Sequence, residues 1–292
     1  NAGDRARFTA WYAPKAIGHR PDHDPATITG AEALAADAFA FRAAFPDAKG
    51  APQLVLVNDR MVAAAVLVTG TNTGPLPGGL PATGRKLGML IFHGAGFDDA
   101  NQVSEEWWVM DGNSFASQLG LSPAPGRPVV EQGAAGAPVI VVATGSDTEK
   151  ANLAATAKGN DDFNKHDVAA VMAGWADDAV ESDQASPADT IGKAAIEPGV
   201  KMFLGGFSDG KISPIAVWAA GDYVFQAAMF VGTNDGDLGP MKKTGRAVTM
   251  TIVELRKLDG GKLKQLWRFF DGIAMSRQLA PPPDATRPAK VN

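Results

Sequence analysis

The stretches Gly70-Thr71-Asn72-Thr73-Gly74 and Gly232-Thr233-Asn234-Asp235-Gly236 are one motif written twice. They stand about 160 residues apart, too far for a solenoid repeat but right for a duplicated domain. Working outward, the flanks repeat as well. Thr83-Gly84-Arg85 returns as Thr244-Gly245-Arg246, and Phe45-Pro46-Asp47 as Phe207-Ser208-Asp209. Trp107, Asp111 and Gln118-Leu119 return as Trp267, Asp271 and Gln278-Leu279. Upstream, Gly30-Ala31-Glu32-Ala33 matches Gly192-Lys193-Ala194-Ala195, and Ala16-Ile17 matches Ala179-Val180. Trp11 falls beside Gly174-Trp175, and Asn1-Ala2-Gly3-Asp4 falls on Asn164-Lys165-His166-Asp167. The anchors keep their order, and their spacing drifts only where loops are expected. The chain reads as two copies of one domain of roughly 120 residues.

The periodicities agree between the copies. Ala31–Phe45 and Lys193–Phe203 carry small and apolar residues at helical spacing. Extended runs follow: Gln53–Val57 with Ile215–Ala219, and Met61–Thr69 with Tyr223–Val231. Next come Arg85–His93 with Arg246–Arg256, and Val103–Asp111 with Leu263–Asp271. Helices followed by a run of strands indicate an α+β fold, with a curved antiparallel sheet wrapped on helices. Such a cone leaves an apolar funnel suited to a small molecule. The boundaries expected are 1–121 for copy 1, a linker at 122–145, 146–280 for copy 2 and a Pro-rich tail at 281–292. Within the linker, Val139–Val142 has the makings of a short strand. Ser146 and Glu149 have capping-box spacing, so a helix should run to about residue 160. Copy 1 has no counterpart of that helix, because Asn1 aligns with Asn164. The expectation is that the native chain extends upstream of Asn1.

Composition narrows the partners. The 292 residues are 45% hydrophobic and 20% charged, as in a globular protein. The net charge of -5 gives no basic footprint for nucleic acid. No apolar run approaches the roughly 18 residues of a membrane helix. Cysteine is absent, which excludes disulfides and thiolate chemistry and leaves the compartment open between cytoplasm and periplasm. No phosphate-binding Gly-rich loop and no His-Glu-x-x-His is present, so no cofactor is expected. Nor is a metal: His19 and His23 have ligand spacing only on a helix, and Pro21 between them opposes one.

The repeated motifs resemble those of the SnoaL-like polyketide cyclases and ester cyclases, a branch of the NTF2-like (cystatin-like) families. The resemblance rests on Gly70–Gly74, Thr83–Arg85, Trp107–Asp111 and Gln118-Leu119-Gly120, with their copy 2 counterparts. There Ala280 replaces the last glycine. Asn164–Asp167 and His19-Arg20-Pro21 resemble two further family turns. The resemblance implies a tandem pair of NTF2-like cones. It also implies a carboxylate general acid/base at Asp111, or at Asp271 in copy 2, acting on a small apolar carbonyl compound or ester. Desolvation would raise such a carboxyl toward a useful pKa. Either Asp can equally be the N-cap of the helix that follows it.

Other candidates carry the same two-sided reading. His19 is a second acid/base or a surface histidine. His93, with Glu254 in its place in copy 2, faces either the pocket or the solvent. Asn72 and Asn234 are pocket residues or turn residues. Trp107 and Trp267 are pocket wall or core. Arg85 and Arg246 should anchor loops, and His166 should sit in a helix-entry turn. Copy 1 is the better candidate for activity because it keeps His19, His93 and Asp111; copy 2 has Asp183 near the place of His19. If Trp107 and Val109 face the funnel, strand parity brings Asp111 there too, beside His93 rather than Trp108. Three functions compete: a cofactor-independent cyclase, isomerase or hydrolase; a non-catalytic small-molecule-binding module; and a structural pseudo-dimer with filled pockets. The cones should pair through their outer sheet faces as an intramolecular pseudo-dimer, leaving a monomeric chain.

Overall fold

The computed structural model describes residues 4–21, 23, 25–133 and 136–281. Copy 1 opens with α1 (Arg5–Thr9), capped by the Asp4 carboxylate, which accepts from the Arg7 N–H. Then come β1 (Tyr12–His19), β2 (Thr27–Thr29), α2 (Ala31–Ala44), β3 (Lys49–Asn58), β4 (Met61–Thr71), β5 (Lys86–Phe97), β6 (Val103–Val109) and α3 (Gly112–Gln118). The segment after α3 ends in β7 (Val139–Val142), which joins the copy 1 sheet parallel to β3. Copy 2 runs α4 (Asp147–Asn164), α5 (Val168–Ala173), β8 (Trp175–Asp183), β9 (Thr190–Ile191) and α6 (Lys193–Gly206). It continues with β10 (Lys211–Ala220), β11 (Tyr223–Thr233), β12 (Ala247–Asp259), β13 (Lys262–Phe269) and α7 (Gly272–Leu279). Asn1–Gly3 of the first anchor, and the Pro-rich tail beyond Pro281, lie outside the described residues. None of the described helices is long and apolar enough to cross a membrane.

Sheet order is β2-β1-β6-β5-β4-β3-β7 in copy 1 and β10-β11-β12-β13-β8-β9 in copy 2. The sheets are mixed rather than purely antiparallel, because β1 runs parallel to β6 and β8 parallel to β13. Bulges break the alternation of β1 and β8, which hides them from a period-2 reading. Helix α4 begins with the expected capping box. The Glu149 N–H donates to Ser146 Oγ, and the Ser146 N–H to the Glu149 carboxylate. It runs on to Asn164, whose carboxamide clasps both the N–H and the carbonyl of Ile212. His166 sits at positive φ in the turn after α4 and hydrogen-bonds the Gly210 carbonyl.

The repeated motifs turn out to be one fastening used twice. Asn72 is fully buried. Its amide donates to the Ala44 and Gly74 carbonyls, and its Oδ1 accepts from the Thr83 N–H and hydroxyl. Asn234 does the same with Gly206, Gly236 and Thr244. Beside it, Asp47 accepts from the N–H and hydroxyl of Thr71, as Asp209 does from Thr233. Gly74 and Gly236 must be glycine, since a Cβ would run into the Ala43 or Gly205 carbonyl at the end of the preceding helix. Asn72 and Asn234 are therefore not pocket residues. Asn72→Ala should lower unfolding free energy by about 3 kcal/mol, because it leaves buried backbone groups without partners. Urea denaturation reads this directly, and a loss under about 1 kcal/mol would contradict the fastening role.

The outer faces of the two sheets pack against each other. Leu54, Leu56, Phe92, Trp107 and Val109 of copy 1 share a buried core with Trp218, Phe225, Val253, Leu255 and Phe269 of copy 2. Phe92 lies nearly parallel to Phe225, with ring centroids 5.5 Å apart. The inner faces form separate cores. Phe45, Leu87, Met89, Ile91 and Leu119 fill cone 1, and Phe207, Phe230, Val248, Met250 and Leu279 fill cone 2.

Candidate active site

Strand parity decides which side chains enter cone 1. On β5, Met89 and Ile91 point inward, and His93 continues that face. On β6 the inward residues are Glu106 and Trp108, with Met110 just past its end; Trp107 and Val109 point to the other cone. His93 lies opposite Trp108 in the ladder, with ring centroids 5.5 Å apart. From β1 come Tyr12 and, just past its end, Arg20. Gly18 between them faces Leu34 of α2 so closely that a Cβ would collide with it. That approach places Asp37, one turn beyond Leu34, against Arg20.

These residues form a buried polar cluster around Glu106, which is 6% exposed. Its Oε1 accepts from the Tyr12 hydroxyl at 2.9 Å and pairs with His93 Nε2 at 2.9 Å. Its Oε2 accepts from Arg20 Nη2. Arg20 also donates to Asp37 at 3.0 Å, and His23 pairs with the other Asp37 oxygen at 3.1 Å. Burial alone would raise the Glu106 pKa. The His93 hydrogen bond and the Arg20 charge outweigh it and hold the carboxyl at about 2. Burial and the Glu106 charge push the Tyr12 hydroxyl far up, so it stays protonated. Asp37 is lowered: burial opposes ionisation, but His23 and Arg20 overcome it.

An ionised carboxylate only accepts. Neutral His93 must therefore carry its proton on Nε2, which leaves Nδ1 as a free base. Its side chain is 39% exposed, so it is the reachable end of an otherwise buried cluster.

The other expected residues lie elsewhere. Asp111 is fully buried, but as the N-cap of α3: Oδ2 accepts from the Ser114 N–H at 2.7 Å, and Oδ1 from the Gly272 N–H at 3.0 Å. Asp271 mirrors it, accepting from Ile273, Ala274 and Gly112. Both carboxylates join the cones, and neither faces a funnel. Burial pushes the Asp271 carboxyl up, and the nearby Asp111 charge adds to the effect. His93 therefore meets Glu106 and Trp108, not Asp111. His19 is on the outer face, stacked on Trp107 with centroids 5.0 Å apart and paired with Glu105 at 2.8 Å. Ladder register makes Ser182, not Asp183, its counterpart, since His19 pairs with Trp107 and Ser182 with Trp267. Trp107 belongs to the core between the sheets rather than to a funnel wall, and Trp267 packs against the same core. Arg246 anchors the end of α7 through the Gln278 carbonyl, and Arg85 lies over Gly120, whose φ is positive. Ala280 has negative φ, so glycine is not needed there.

Cone 2 holds a different arrangement. Glu254 stands in the place of His93 and is clamped by Arg256 Nε at 2.8 Å and Arg268 Nε at 3.0 Å. Arg268 also binds Glu181 at 2.6 Å. Burial opposes the Glu254 charge, but the two guanidiniums lower its pKa. From α4, Asn160 hydrogen-bonds Gln226 beside Glu254 at 2.7 Å. Leu266, in the inward β13 position matching Glu106, offers no carboxylate.

The model of the SnoaL-like polyketide cyclases matches residues 1–119 and 154–279. The chain belongs to this family. Solved structures similar to it include a candidate SnoaL-like polyketide cyclase from Jannaschia sp. CCS1. That match has 20% identity and a TM-score of 0.44, covering 47% of this chain and 97% of that one. Another is a candidate polyketide cyclase from Xanthomonas campestris pv. campestris, with 17% identity and a TM-score of 0.42, covering 46% and 100%. No curated protein matches the chain. Within this SnoaL-like pair, sequence reasoning missed Glu106, Tyr12, Arg20 and Asp37. The available signal was Glu105-Glu106 directly before Trp107-Trp108 in a strand.

The low Glu106 pKa links the cluster to stability. A carboxyl at about 2 when folded and near its ordinary value when unfolded stabilises the fold at neutral pH. That contribution, on the order of 3 kcal/mol, is lost as pH falls from about 4.5 through 2. Urea denaturation across this window should show the loss in the wild type and a flatter profile in Glu106→Gln. Parallel profiles would show that Glu106 is not held ionised.

Proposed function

We propose that this SnoaL-like protein is an enzyme whose cone 1 moves a proton on a small apolar carbonyl compound or ester, in a cyclisation, isomerisation or hydrolysis. The observation that carries the reading is the His93–Glu106 pair: a reachable imidazole held by a buried, ionised carboxylate. His93 Nδ1 would accept the proton, and Glu106 would stabilise the imidazolium that forms. The His93 hydrogen bond and the Arg20 charge hold Glu106 ionised, so it does not take the proton itself. Phe41, Trp108 and Phe115, only partly buried against the cone 1 core, would offer a substrate an apolar wall. Cone 2 serves as scaffold, because the carboxylate of Glu254 is taken up by two arginines.

In this reading Asp111 and Asp271 support the fold and take no part in proton transfer. The direct test is solvent deuterium exchange at the α-carbon of a panel of apolar ketones and esters, followed by NMR. His93→Gln should lower exchange of an accepted compound at least about a hundredfold, and Glu106→Gln about tenfold or more. Asp111→Asn should retain the rate where it remains folded. Unchanged exchange in His93→Gln would remove the enzyme reading of this site and leave a binding module.

A further inference from the structure

A cavity of about 420 Å³ lies between the cones, on the opposite side of the copy 1 sheet from His93. Its copy 1 wall is the outer face of β3, β4 and β5, with Leu54, Leu67 and Leu90. Its copy 2 wall holds Trp267 and Tyr223, whose rings lie 26° from parallel with centroids 6.5 Å apart. The segment 127–133 crosses it as a strap.

The strap is firmly built. The Gln118 carboxamide donates to the carbonyls of Gly88, Arg127 and Pro128, and the Val130 N–H donates to the Gly88 carbonyl. A Cβ on Gly88 would meet the Val130 carbonyl, and one on Gly133 would meet the Gln53 carboxamide. Glycine at both positions lets the strap lie this close.

Two buried polar side chains line the cavity with hydrogen-bonding capacity left over. Gln184 is 3% exposed and Ser182 is 5% exposed. The Gln184 amide nitrogen donates to both the Ser182 carbonyl and its hydroxyl oxygen. The carbonyl fixes which way the carboxamide faces, since an oxygen there would meet an oxygen. Gln184 Oε1 therefore remains an open acceptor. The Ser182 hydroxyl accepts from Gln184, so its own hydrogen is open to donate. Among the described residues of the wall the one charged side chain, Arg127, is already bound to the Asp183 carbonyl and the Asp189 carboxylate.

We propose that this cavity is a second binding site, distinct from the cone 1 site, for an uncharged planar aromatic molecule with a donor and an acceptor side by side on one edge. The rings lie against Trp267 and the leucines. The edge donates to Gln184 Oε1 and accepts from the Ser182 hydroxyl. The volume lies in the range of small-molecule pockets, and a described lining without an unpaired charge favours a neutral ligand.

The probe is 2-quinolinone, a flat bicyclic lactam whose N–H and C=O have this arrangement. Isothermal titration of the full chain should show saturable one-to-one binding. Trp267→Ala and Gln184→Leu should each weaken it at least about tenfold. Val130→Trp enlarges a half-exposed side chain of the cavity wall; it should keep the wild-type unfolding midpoint and abolish binding. His93→Gln, inside the cone, should leave binding unchanged. Absence of saturable binding would overturn the proposal. So would full binding in Val130→Trp, or a loss confined to His93→Gln, which would put the probe in the cone.

Discussion

The structure depends on two carboxylates that each cap a helix in one copy and reach a backbone N–H in the other. Asp111 holds the start of α3 and accepts from Gly272; Asp271 holds the start of α7 and accepts from Gly112. A Cβ on either glycine would press on the opposite carboxylate, so both positions are kept bare. The exchange puts two carboxyl groups near each other in a buried place, a cost offset by the N–H donors of two helix starts. Around it, Phe92, Phe225 and Phe269 pack the sheets together. Each cap thus has one oxygen on its own helix start and one on the first N–H of the other copy's helix.

This constraint divides the labour of the sheet faces. The outer faces are committed to joining the copies, and the inner faces are free to differ. They have done so at matching positions. His93 of cone 1 faces an ionised glutamate with one ring nitrogen open. Glu254 of cone 2 is closed by two guanidiniums. Duplication thus leaves one copy with a half-exposed imidazole beside a buried carboxylate and the other with a carboxylate closed by two arginines.

The duplication, helices α2, α4 and α6 and most strands were legible in the sequence because the repeated motifs serve the backbone. Asn72, Asp47 and Gly74 fasten a helix end to two strand ends, a task set by local geometry and so the same in both copies. The site was less legible for the same reason. The residues that repeat are scaffold, whereas Glu106 and Arg20 have Leu266 and Asp183 in their places and so leave no repeat signal. Parity along β6 misled because both faces of the sheet are buried, and Trp107 and Trp108 are equally good core residues. Only the partner sheet settles which of them points into the cone. The parallel strands β1 and β8 escaped notice because their bulges interrupt the alternation.

The central claim is that the two cones are one cooperative unit tied together by Asp111 and Asp271. Native-state amide hydrogen exchange tests it most directly, through the slowest amides of β5 in copy 1 and β12 in copy 2. The account predicts that both sets exchange by the same global opening. It further predicts that Asp111→Ala lowers the opening free energy of both by an equal amount, about 2 kcal/mol. A loss confined to β5, with β12 unmoved, would contradict it and make the copies independent domains.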